Sequence, residues 1–406
     1  MNGFTEKNAG YAALEALYDE ALHVWVPAWF KDFSAPQGGF YERLGADGRP
    51  LDVPRRLLTQ CRQIIVYAQA YTDSGRGDYL EKITEGYAHL VSRYRGDKTG
   101  GFRFSLNADG SLCDDRYDLY WHAFFLLAAA CYYKATRDGR ALEDAARTLE
   151  FITRHFRYAD HAGFAEGLEG NTLEVLSGPR RQNPHMHLLE GCLYMFEVSG
   201  DERYKAVADE MVDLFYGRFL DPATQTIGEF FEADLSPSGE KGHLVEAGHH
   251  AEWIWLLKKY QDVTGEREER HLRTMKSLFD FVFERGTDKK YGGIFNAQRR
   301  DGQPEDTGKR IWPVLETLRA ASVMSGVDGY RERAEETLSG MIGLLRKNYI
   351  DAGGRWTESL NRDLSANGNE RPGTTPYHIF PAIRDAEALV KFRQSGKGMK
   401  EVHNYT

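Results

Sequence analysis

The chain lacks the features that would place it in a membrane, stabilise it with disulfides or attract it to nucleic acid. Its N-terminal stretch, MNGFTEKNAGYAALEALYDEAL, has neither a cationic start nor an apolar core, and no apolar run approaches a membrane span of ~20 residues. The four cysteines are irregularly spaced and form no CxxC pair, which favours free thiols in a reducing compartment. The formal net charge is −9, and no basic patch stands out. We therefore expect a soluble cytoplasmic protein that binds neither membranes nor nucleic acid.

Motifs for metals and phosphates are also missing. Neither HExxH nor a glycine-rich loop before a lysine occurs in the sequence. His185 and His187 form an HxH pair, but positions i and i+2 of a helix point about 200° apart, so these two histidines do not easily share a metal. We predict no metal ligands and no cofactor.

The sequence does contain an internal repeat. Six stretches look alike, namely QGGFYERL, TGGFRFSL, HAGFAEGL, TIGEFFEA, YGGIFNAQ and AGGRWTES. Their second-glycine positions are Gly39, Gly101, Gly163, Gly228, Gly293 and Gly354, at intervals of 62, 62, 65, 65 and 61 residues. A period this regular over six copies indicates six structural units.

Each copy lies between two helical patterns. An amphipathic pattern such as LEDAARTLEFITRHF precedes it, and a more apolar pattern such as HAFFLLAAACYY follows it. The sequence therefore predicts six helical hairpins, with six buried helices inside six amphipathic ones. This arrangement is an all-α fold, an (α/α)6 barrel that forms one domain over residues 1–406. An open solenoid is the alternative, although solenoid repeats are usually shorter, roughly 33–47 residues.

One unusual residue stands near the start of each apolar helix. The six are Arg62, Tyr120, His187, His249, Trp312 and His378, at intervals of 58, 67, 62, 63 and 66 residues. Equal phase in a closed ring predicts that all six converge on one central cleft. This is the strongest indication of function in the sequence.

The stretch EAGHHAEW at 246–253 suggests acid–base chemistry in that cleft. On a helix His249 and Glu252 are i and i+3 and share a face, whereas His250 is rotated by about 100°. A carboxylate beside an imidazole orients the ring and raises its pKa. The alternative is a histidine that caps the helix or is satisfied in the core.

Further side chains are candidates for contacts around a ligand. Glu190 follows His187 by three residues and is suited to hold it, with a carboxylate paired elsewhere as the alternative. Asn183 suits a sugar hydroxyl, or an N-cap before Pro184. Arg62, among apolar residues, suits a substrate oxygen or an enediolate, or else a structural ion pair. Three tryptophans suit sugar stacking or the core: Trp253, Trp312 and Trp356.

Six motifs, taken together and in order, resemble the N-acylglucosamine 2-epimerase superfamily. They are TQCRQ, YDLYWHAF, RRQNPHMHLLEG, VEAGHHAEWIWLL, RIWPVLETLRAA and PYHIFPAI. That group contains N-acylglucosamine epimerases, cellobiose 2-epimerases, mannose isomerases and sulfoquinovose isomerases. The resemblance covers nearly the whole chain and implies an (α/α)6 barrel that moves a proton at C1 and C2 of an open-chain sugar without a metal.

The resemblance also implies roles for individual residues. His249 and His378 match the general acid and base, and Glu252 matches the carboxylate that supports His249. Arg62 and His187 match conserved polar residues around the sugar. Three more match contacts in the cleft: Tyr120, Asn183 and Trp312.

NPHMHLLE is similar to the mannose isomerase branch, so we predict an aldose–ketose isomerase that interconverts D-mannose and D-fructose through a cis-enediolate. The N-acylglucosamine epimerases, which need a nucleotide activator, lack the matching histidine. A sulfoquinovose isomerase would need a cationic pocket, for which Arg180, Arg181 and Lys241 are candidates, and a cellobiose 2-epimerase would use nearly the same catalytic set. A glycoside hydrolase would need two carboxylates across the cleft, and a sugar-binding protein without catalysis would not exchange the C2 proton. The expected partner is a monosaccharide, and the resemblance leaves monomers and homo-oligomers open.

Overall fold

The computed structural model describes residues 3–96, 100–178 and 180–395. Over these ranges the chain forms thirteen α-helices: α1 (Gly3–Glu20), α2 (Val26–Phe33), α3 (Leu57–Ser74), α4 (Gly77–Tyr94), α5 (Leu119–Thr136), α6 (Arg140–His155), α7 (Gln182–Ser199), α8 (Glu202–Leu214), α9 (Ala247–Thr264), α10 (Glu269–Phe281), α11 (Ile311–Met324), α12 (Arg331–Leu344) and α13 (Pro376–Gln394). Four π-helical turns extend α1, α8, α10 and α12: Ala21–Trp25, Phe215–Phe219, Val282–Gly286 and Leu345–Tyr349.

The helices form two concentric rings. The inner helices α3, α5, α7, α9, α11 and α13 are buried on nearly all sides over their N-terminal two-thirds. The outer helices α4, α6, α8, α10, α12 and α1 alternate with them. Because α13 packs against both α3 and α1, the ring closes. The predicted (α/α)6 barrel is therefore confirmed, and the open solenoid is excluded.

Turn chemistry in the sequence ends and starts these helices as expected. Gly75, Gly200 and Gly265 follow α3, α7 and α9 in the left-handed region, with φ of 69°, 66° and 82°. The carboxylates of Asp118 and Asp201 accept backbone N–H bonds at the starts of α5 and α8. No described helix is long and apolar enough to span a membrane.

Short strands join neighbouring repeats at the end of the barrel where the inner helices begin. They are β1 (Arg43–Leu44), β2 (Arg55–Arg56), β3 (Ser105–Leu106), β4 (Leu112–Asp114), β5 (Tyr117–Asp118), β6 (Gly167–Leu168), β7 (Arg180–Arg181), β8 (Leu220–Asp221), β9 (Thr226–Ile227), β10 (Phe230–Phe231), β11 (Leu244–Val245), β12 (Ala297–Arg299), β13 (Pro304–Asp306), β14 (Lys309–Arg310), β15 (Ser359–Leu360) and β16 (Arg371–Pro372).

Each strand that leads into an inner helix pairs antiparallel with a strand from the next repeat. The pairs are β2–β3, β5–β6, β7–β10, β11–β12, β14–β15 and β16–β1. The last pair aligns Leu44 with Arg371 and joins the final repeat to the first. This ring of pairings fixes the heights at which the inner helices enter the barrel.

A buried histidine at the fourth position of three inner helices ties each helix to a glycine stretch. In His122, His185 and His250, Nδ1 lies 2.7–3.0 Å from the backbone carbonyl oxygen four residues earlier. Nε2 of each accepts a backbone N–H, from Phe102, Phe164 and Ile227 at 3.0, 3.1 and 3.2 Å. Burial lowers the pKa of each imidazole to about 4. His185 and His250 are therefore neutral core residues, which separates each of them from the neighbouring His187 or His249.

Candidate active site

The inner helices surround a cleft of about 280 Å³ at the end of the barrel where they begin. All six in-phase residues line it. The full lining is Arg62, Tyr120, Arg181, Asn183, His187, Glu229, Phe230, Glu246, His249, Glu252, Arg310, Trp312 and His378. The predicted convergence on one cleft is thus present in the structure. The motifs in the sequence did not indicate Glu229, Glu246, Phe230 or Arg310, and they suggested Arg181 only as part of a sulfonate pocket.

The lining residues come from two levels of the inner helices. Tyr120 and Trp312 are the second residues of α5 and α11, and His249 and His378 are the third residues of α9 and α13. Arg62 and His187 are each the sixth residue of their helix, about one turn deeper. These two levels explain why the intervals in the sequence vary around the period of the repeat.

His249 is held by two carboxylates. Its Nδ1 lies 2.9 Å from Oε2 of Glu229, which stands between β9 and β10, and 3.9 Å from Oε2 of Glu246, the residue before α9. Burial alone would lower the pKa of His249, but the negative charge of Glu229 at 2.9 Å, and then the charges of Glu246 and Glu252, raise it to about 9. His249 is therefore an imidazolium at neutral pH and can act as a proton donor.

The expected contact between Glu252 and His249 does not form. Glu252 is the sixth residue of α9, one level deeper, and its Oε1 lies 3.6 Å from Nε2 of His187. It acts on His249 through charge alone. Burial and the nearby charge of Glu316 raise the pKa of Glu252 well above its ordinary value. A spacing of i, i+3 placed both residues on one face but did not determine which carboxylate reaches the ring.

The i, i+3 expectation holds for Glu190 and His187. Oε2 of Glu190 lies 2.9 Å from Nδ1 of His187, and the carboxylate also accepts the hydroxyl of Tyr377 at 2.7–2.8 Å. Burial lowers the pKa of His187, and Glu190 only partly offsets this effect. Glu190 lies behind His187 and does not line the cleft. Its predicted role in contacting substrate is therefore corrected to one of holding His187.

His378 has the opposite electrostatic environment to His249. Its Nδ1 lies 3.0 Å from Oε1 of Glu316, and burial, reinforced by the positive charge of Arg62, lowers its pKa well below the ordinary value. Glu316 also contacts Arg319 at 3.2 Å, and Arg319 contacts Asp385 at 3.0 Å. Glu316 was not among the predicted site residues, although it occupies the same sixth position in α11 that Arg62, His187 and Glu252 occupy in their helices.

Arg62 is a buried cation with no counter-ion among the described residues. One terminal nitrogen donates to the Tyr120 hydroxyl at 2.8 Å, another to the Thr374 carbonyl at 3.4 Å, and the guanidinium lies over the rings of Phe124 and Tyr377. Its side chain is 6% exposed, and no carboxylate among the described residues lies within ion-pair distance. The structural ion pair considered for Arg62 is therefore absent in the described part of the chain, and its charge is available to a ligand.

Two further guanidiniums at the rim are already paired. Arg181 forms a two-nitrogen fork on Oε2 of Glu166, with distances of 2.8 and 2.5 Å. Arg310 contacts Oε2 of Glu246 at 2.8 Å. Of the three cations considered for a sulfonate, only Arg181 lines the cleft. Arg180 is buried and donates to three backbone carbonyls. Lys241 is exposed and lies over the ring of Phe230.

Of the three tryptophans, one lines the cleft. The ring of Trp312 lies 4.9 Å from that of His249 and 5.9 Å from that of His378. A Cβ at Gly248 would come within 2.5 Å of Trp312, so the glycine of EAGHH makes room for the indole. Trp253 is fully buried and stacks on Phe215, and Trp356 packs on Phe33, so their predicted stacking role is corrected to core packing.

Asn183, the second residue of α7, lines the cleft, and its Oδ1 has no hydrogen-bond partner in the described part of the chain. Its contact with a sugar hydroxyl stays a prediction.

Within the described ranges, two clusters have donor atoms within 4.8 Å of one another and could hold a metal ion: His187 with Glu190 and Glu252, and His249 with Glu229 and Glu246. The absence of a metal requirement therefore stays a prediction.

The molecule is a closed (α/α)6 barrel with acidic and basic groups at the start of its inner helices. Among such barrels, the chain belongs to the N-acylglucosamine 2-epimerase family, whose sequence model matches residues 39–382. The mannose-6-phosphate isomerase of Rhizobium meliloti is 32% identical over 92% of this chain and 96% of its own length. The D-mannose isomerase of Marinomonas mediterranea is 24% identical over 91% and 95%.

A solved structure agrees with this assignment at the level of the fold. The cellobiose 2-epimerase of Spirochaeta thermophila superimposes with a TM-score of 0.85 over 94% of this chain and 97% of that one, at 21% identity. The family and these relatives identify the chain as a sugar isomerase or epimerase.

Proposed function

We propose that the protein interconverts D-mannose and D-fructose by moving a proton between C2 and C1 of the open-chain sugar. The observation that carries the proposal is the opposite electrostatic surroundings of two histidines on one cleft. Glu229 and Glu246 hold His249 as a cation, while burial and Arg62 keep His378 neutral. A reaction that needs one proton donor and one acceptor at neutral pH is suited to this pair.

His249 opens the sugar ring by donating a proton to the ring oxygen. Its neutral imidazole then takes the proton of the anomeric hydroxyl, which leaves the C1 aldehyde and restores the cation. His378 then removes the C2 proton as general base. Its Nδ1 faces Glu316 at 3.0 Å, and a neutral imidazole that donates from Nδ1 keeps the lone pair of Nε2 for the substrate. The tautomer that suits a base is therefore the one that this hydrogen bond favours.

Removal of the C2 proton places negative charge on the oxygens of a cis-enediolate. The guanidinium of Arg62 has no carboxylate within reach among the described residues and still has a buried Nε without a partner. A fixed cation in a water-poor site stabilises such charge without reorganising. Return of the proton to C1 from His378, together with transfer of the C2 hydroxyl proton to O1, gives the ketose.

A 2-epimerase is the second candidate. The rings of His249 and His378 both flank the ring of Trp312, so a protonated imidazole is present in the cleft besides the base. If His249 donates a proton to C2 from the opposite face, the product is glucose from mannose. Isomerase and epimerase share every step up to the enediolate and differ in the carbon that is reprotonated and in the histidine and face that deliver the proton.

The sugar is proposed to be uncharged. One relative is named a mannose-6-phosphate isomerase, but both guanidiniums at the rim of this cleft already face carboxylates, Arg181 with Glu166 and Arg310 with Glu246. A phosphate or sulfonate at C6 would have to displace one of these pairs or compete with the enediolate for Arg62. Anion recognition usually relies on available, well-oriented guanidiniums.

Proton NMR of EDTA-treated protein with D-mannose in D₂O tests the proposal. The expected result is fructose that carries deuterium at C1. Early glucose with deuterium at C2 would favour the epimerase, and no exchange with mannose would overturn the assignment of the sugar. D-mannose 6-phosphate is assayed in parallel, and a higher kcat/KM for the phosphate ester would contradict an uncharged substrate.

A further inference from the structure

Behind His249, three buried side chains from distant parts of the chain form a line of hydrogen bonds. The indole Nε1 of Trp253 donates to Oε1 of Gln182 at 2.9 Å, and Nε2 of Gln182 donates to Oε2 of Glu229 at 3.1 Å. The same carboxylate oxygen lies 2.9 Å from Nδ1 of His249. Gln182 and Trp253 have no exposed surface, and Glu229 is 3% exposed.

The chemistry of the indole sets the direction of this line. A tryptophan Nε1–H is only a donor, so the atom that faces it must be the amide oxygen of Gln182. The amide nitrogen is then turned toward Glu229 and requires an acceptor there. A carboxylate satisfies this requirement with either oxygen, whereas a carboxylic acid would have to keep its proton away from Oε2.

The backbone fixes the two ends of the line. Gln182 directly follows β7 and Glu229 directly precedes β10, and these strands pair with Arg181 opposite Phe230. The backbone N–H of Gln182 also reaches the carbonyl of Glu229 at 3.4 Å. The indole of Trp253 is held by stacking on Phe215, with ring centres 4.0 Å apart. The side chains therefore have little freedom to rearrange.

We propose that Trp253 and Gln182 are positioning residues that keep Glu229 ionised and aimed at His249, so that His249 remains protonated between turnovers. The inference rests on the proposed function for its catalytic meaning, since it concerns the acid of that reaction. It assigns to Trp253 a hydrogen-bonding role in place of a wall for the sugar. It also explains why Glu229, and not Glu252, contacts His249.

Other charged groups around His249 do not replace Glu229. Those facing it are Glu246 before α9, Glu252 on α9, His187 on α7, His250 on α9 and Arg310 before α11, which reaches it through Glu246. Glu246 lies 1.0 Å farther from Nδ1 than Glu229 does (3.9 against 2.9 Å) and is already paired with Arg310. Burial and the charge of Glu229 both raise the pKa of Glu246 and so act against the ionisation of Glu246.

The test is an NMR titration of the full-length protein labelled with ¹⁵N-histidine, with His249→Gln used to assign the signal. Gln182→Met removes both amide groups at similar volume, and Trp253→Phe removes the indole N–H but keeps the ring stack. Both are expected to lower the pKa of His249 from about 9 by at least one unit, a tenfold weaker hold on the proton. Trp25→Phe is the matched control, because Nε1 of Trp25 is buried without a hydrogen-bond partner.

An unchanged His249 titration in folded Gln182→Met would overturn the proposal, and so would an equal shift in Trp25→Phe. If Trp253→Phe does not fold, Gln182→Met still decides. The titration needs no substrate, so a protein that shows the shift but does not convert mannose would contradict the proposed function alone. A protein that converts mannose without the shift would contradict the positioning role alone.

Discussion

Oε1 of Glu316 on α11 lies 3.0 Å from Nδ1 of His378 on α13, 62 positions later in the chain. The contact forms between neighbouring inner helices. A second carboxylate–imidazole contact, between Glu229 and His249, also forms beside Trp312. The two histidines nevertheless differ in charge. Arg319 pairs with Glu316, and its charge also lowers the pKa of His378, whereas no arginine or lysine lies within ion-pair distance of Glu229 among the described residues. The two histidines are therefore suited to be the base and the acid of the proposed reaction.

Replacement of the proposed base should reduce turnover much more than sugar binding. We expect His378→Asn to lower kcat by about 10²–10⁴-fold, since a positioned general base is typically worth that much. KM for mannose should change far less, because Asn can still occupy the space beside Trp312. Steady-state kinetics on mannose measure both, with the exposed His23→Asn as the control. Near-normal turnover in His378→Asn would rule out this role.

The two opposite pKa shifts predict a broad plateau in the pH dependence of kcat/KM. His378 must be neutral, and because its pKa lies well below 6.5, activity should persist below that pH and fall only at more acidic values. His249 must be protonated, and because its pKa is raised to about 9, activity should fall about tenfold per pH unit above 9. An alkaline limb near 6.5 would show that the carboxylates do not hold His249 as a cation.

The sequence predicted the barrel and the convergence of the cleft residues because both depend on the period of the chain. Six glycine stretches and six in-phase residues carry that information without any knowledge of contacts. The partners of the histidines depend instead on tertiary contacts. Glu229 reaches His249 from the glycine stretch before α9, and Glu316 reaches His378 from another inner helix, so no helical spacing reveals them. The i, i+3 rule found Glu190 for His187 but gave Glu252 for His249, because sharing a helix face does not decide which carboxylate meets a ring nitrogen.

Loss of the unpaired cation should affect the enediolate more than the bound sugar. We expect Arg62→Met to lower kcat by about 10²–10³-fold, in line with the removal of one oxyanion-stabilising donor. Arg62→Lys keeps the charge but loses the donor to Tyr120 or to Thr374, so its kcat should lie between those of Arg62→Met and the unmodified protein. Stopped-flow or steady-state assays on mannose compare the three. A rise in KM with unchanged kcat would instead make Arg62 a ground-state binding residue.

The structural histidines make a separate prediction about stability. His122→Leu leaves the buried N–H of Phe102 without an acceptor, which should cost about 1–3 kcal/mol of unfolding free energy. His122→Gln should cost less, because Gln60 performs the same task in the first repeat, where its Oε1 accepts the N–H of Phe40 at 2.8 Å. Urea unfolding at neutral pH measures the three proteins. Equal losses in the two variants would show that the hydrogen bond to Phe102 is not what His122 supplies.

The same residue makes the fold sensitive to acid in a way that glutamine would not. Burial lowers the pKa of His122 to about 4 in the folded chain, whereas an unfolded histidine has an ordinary pKa of 6.5. The unfolded state therefore takes up the proton first, so the stabilising contribution is complete above pH 6.5 and is lost as the pH falls toward 4. His122→Gln removes this group, and its unfolding free energy should decline less steeply over that interval. Parallel slopes for the two proteins would mean that His122 is already protonated in the folded barrel, which would also undo its assignment as the acceptor for Phe102.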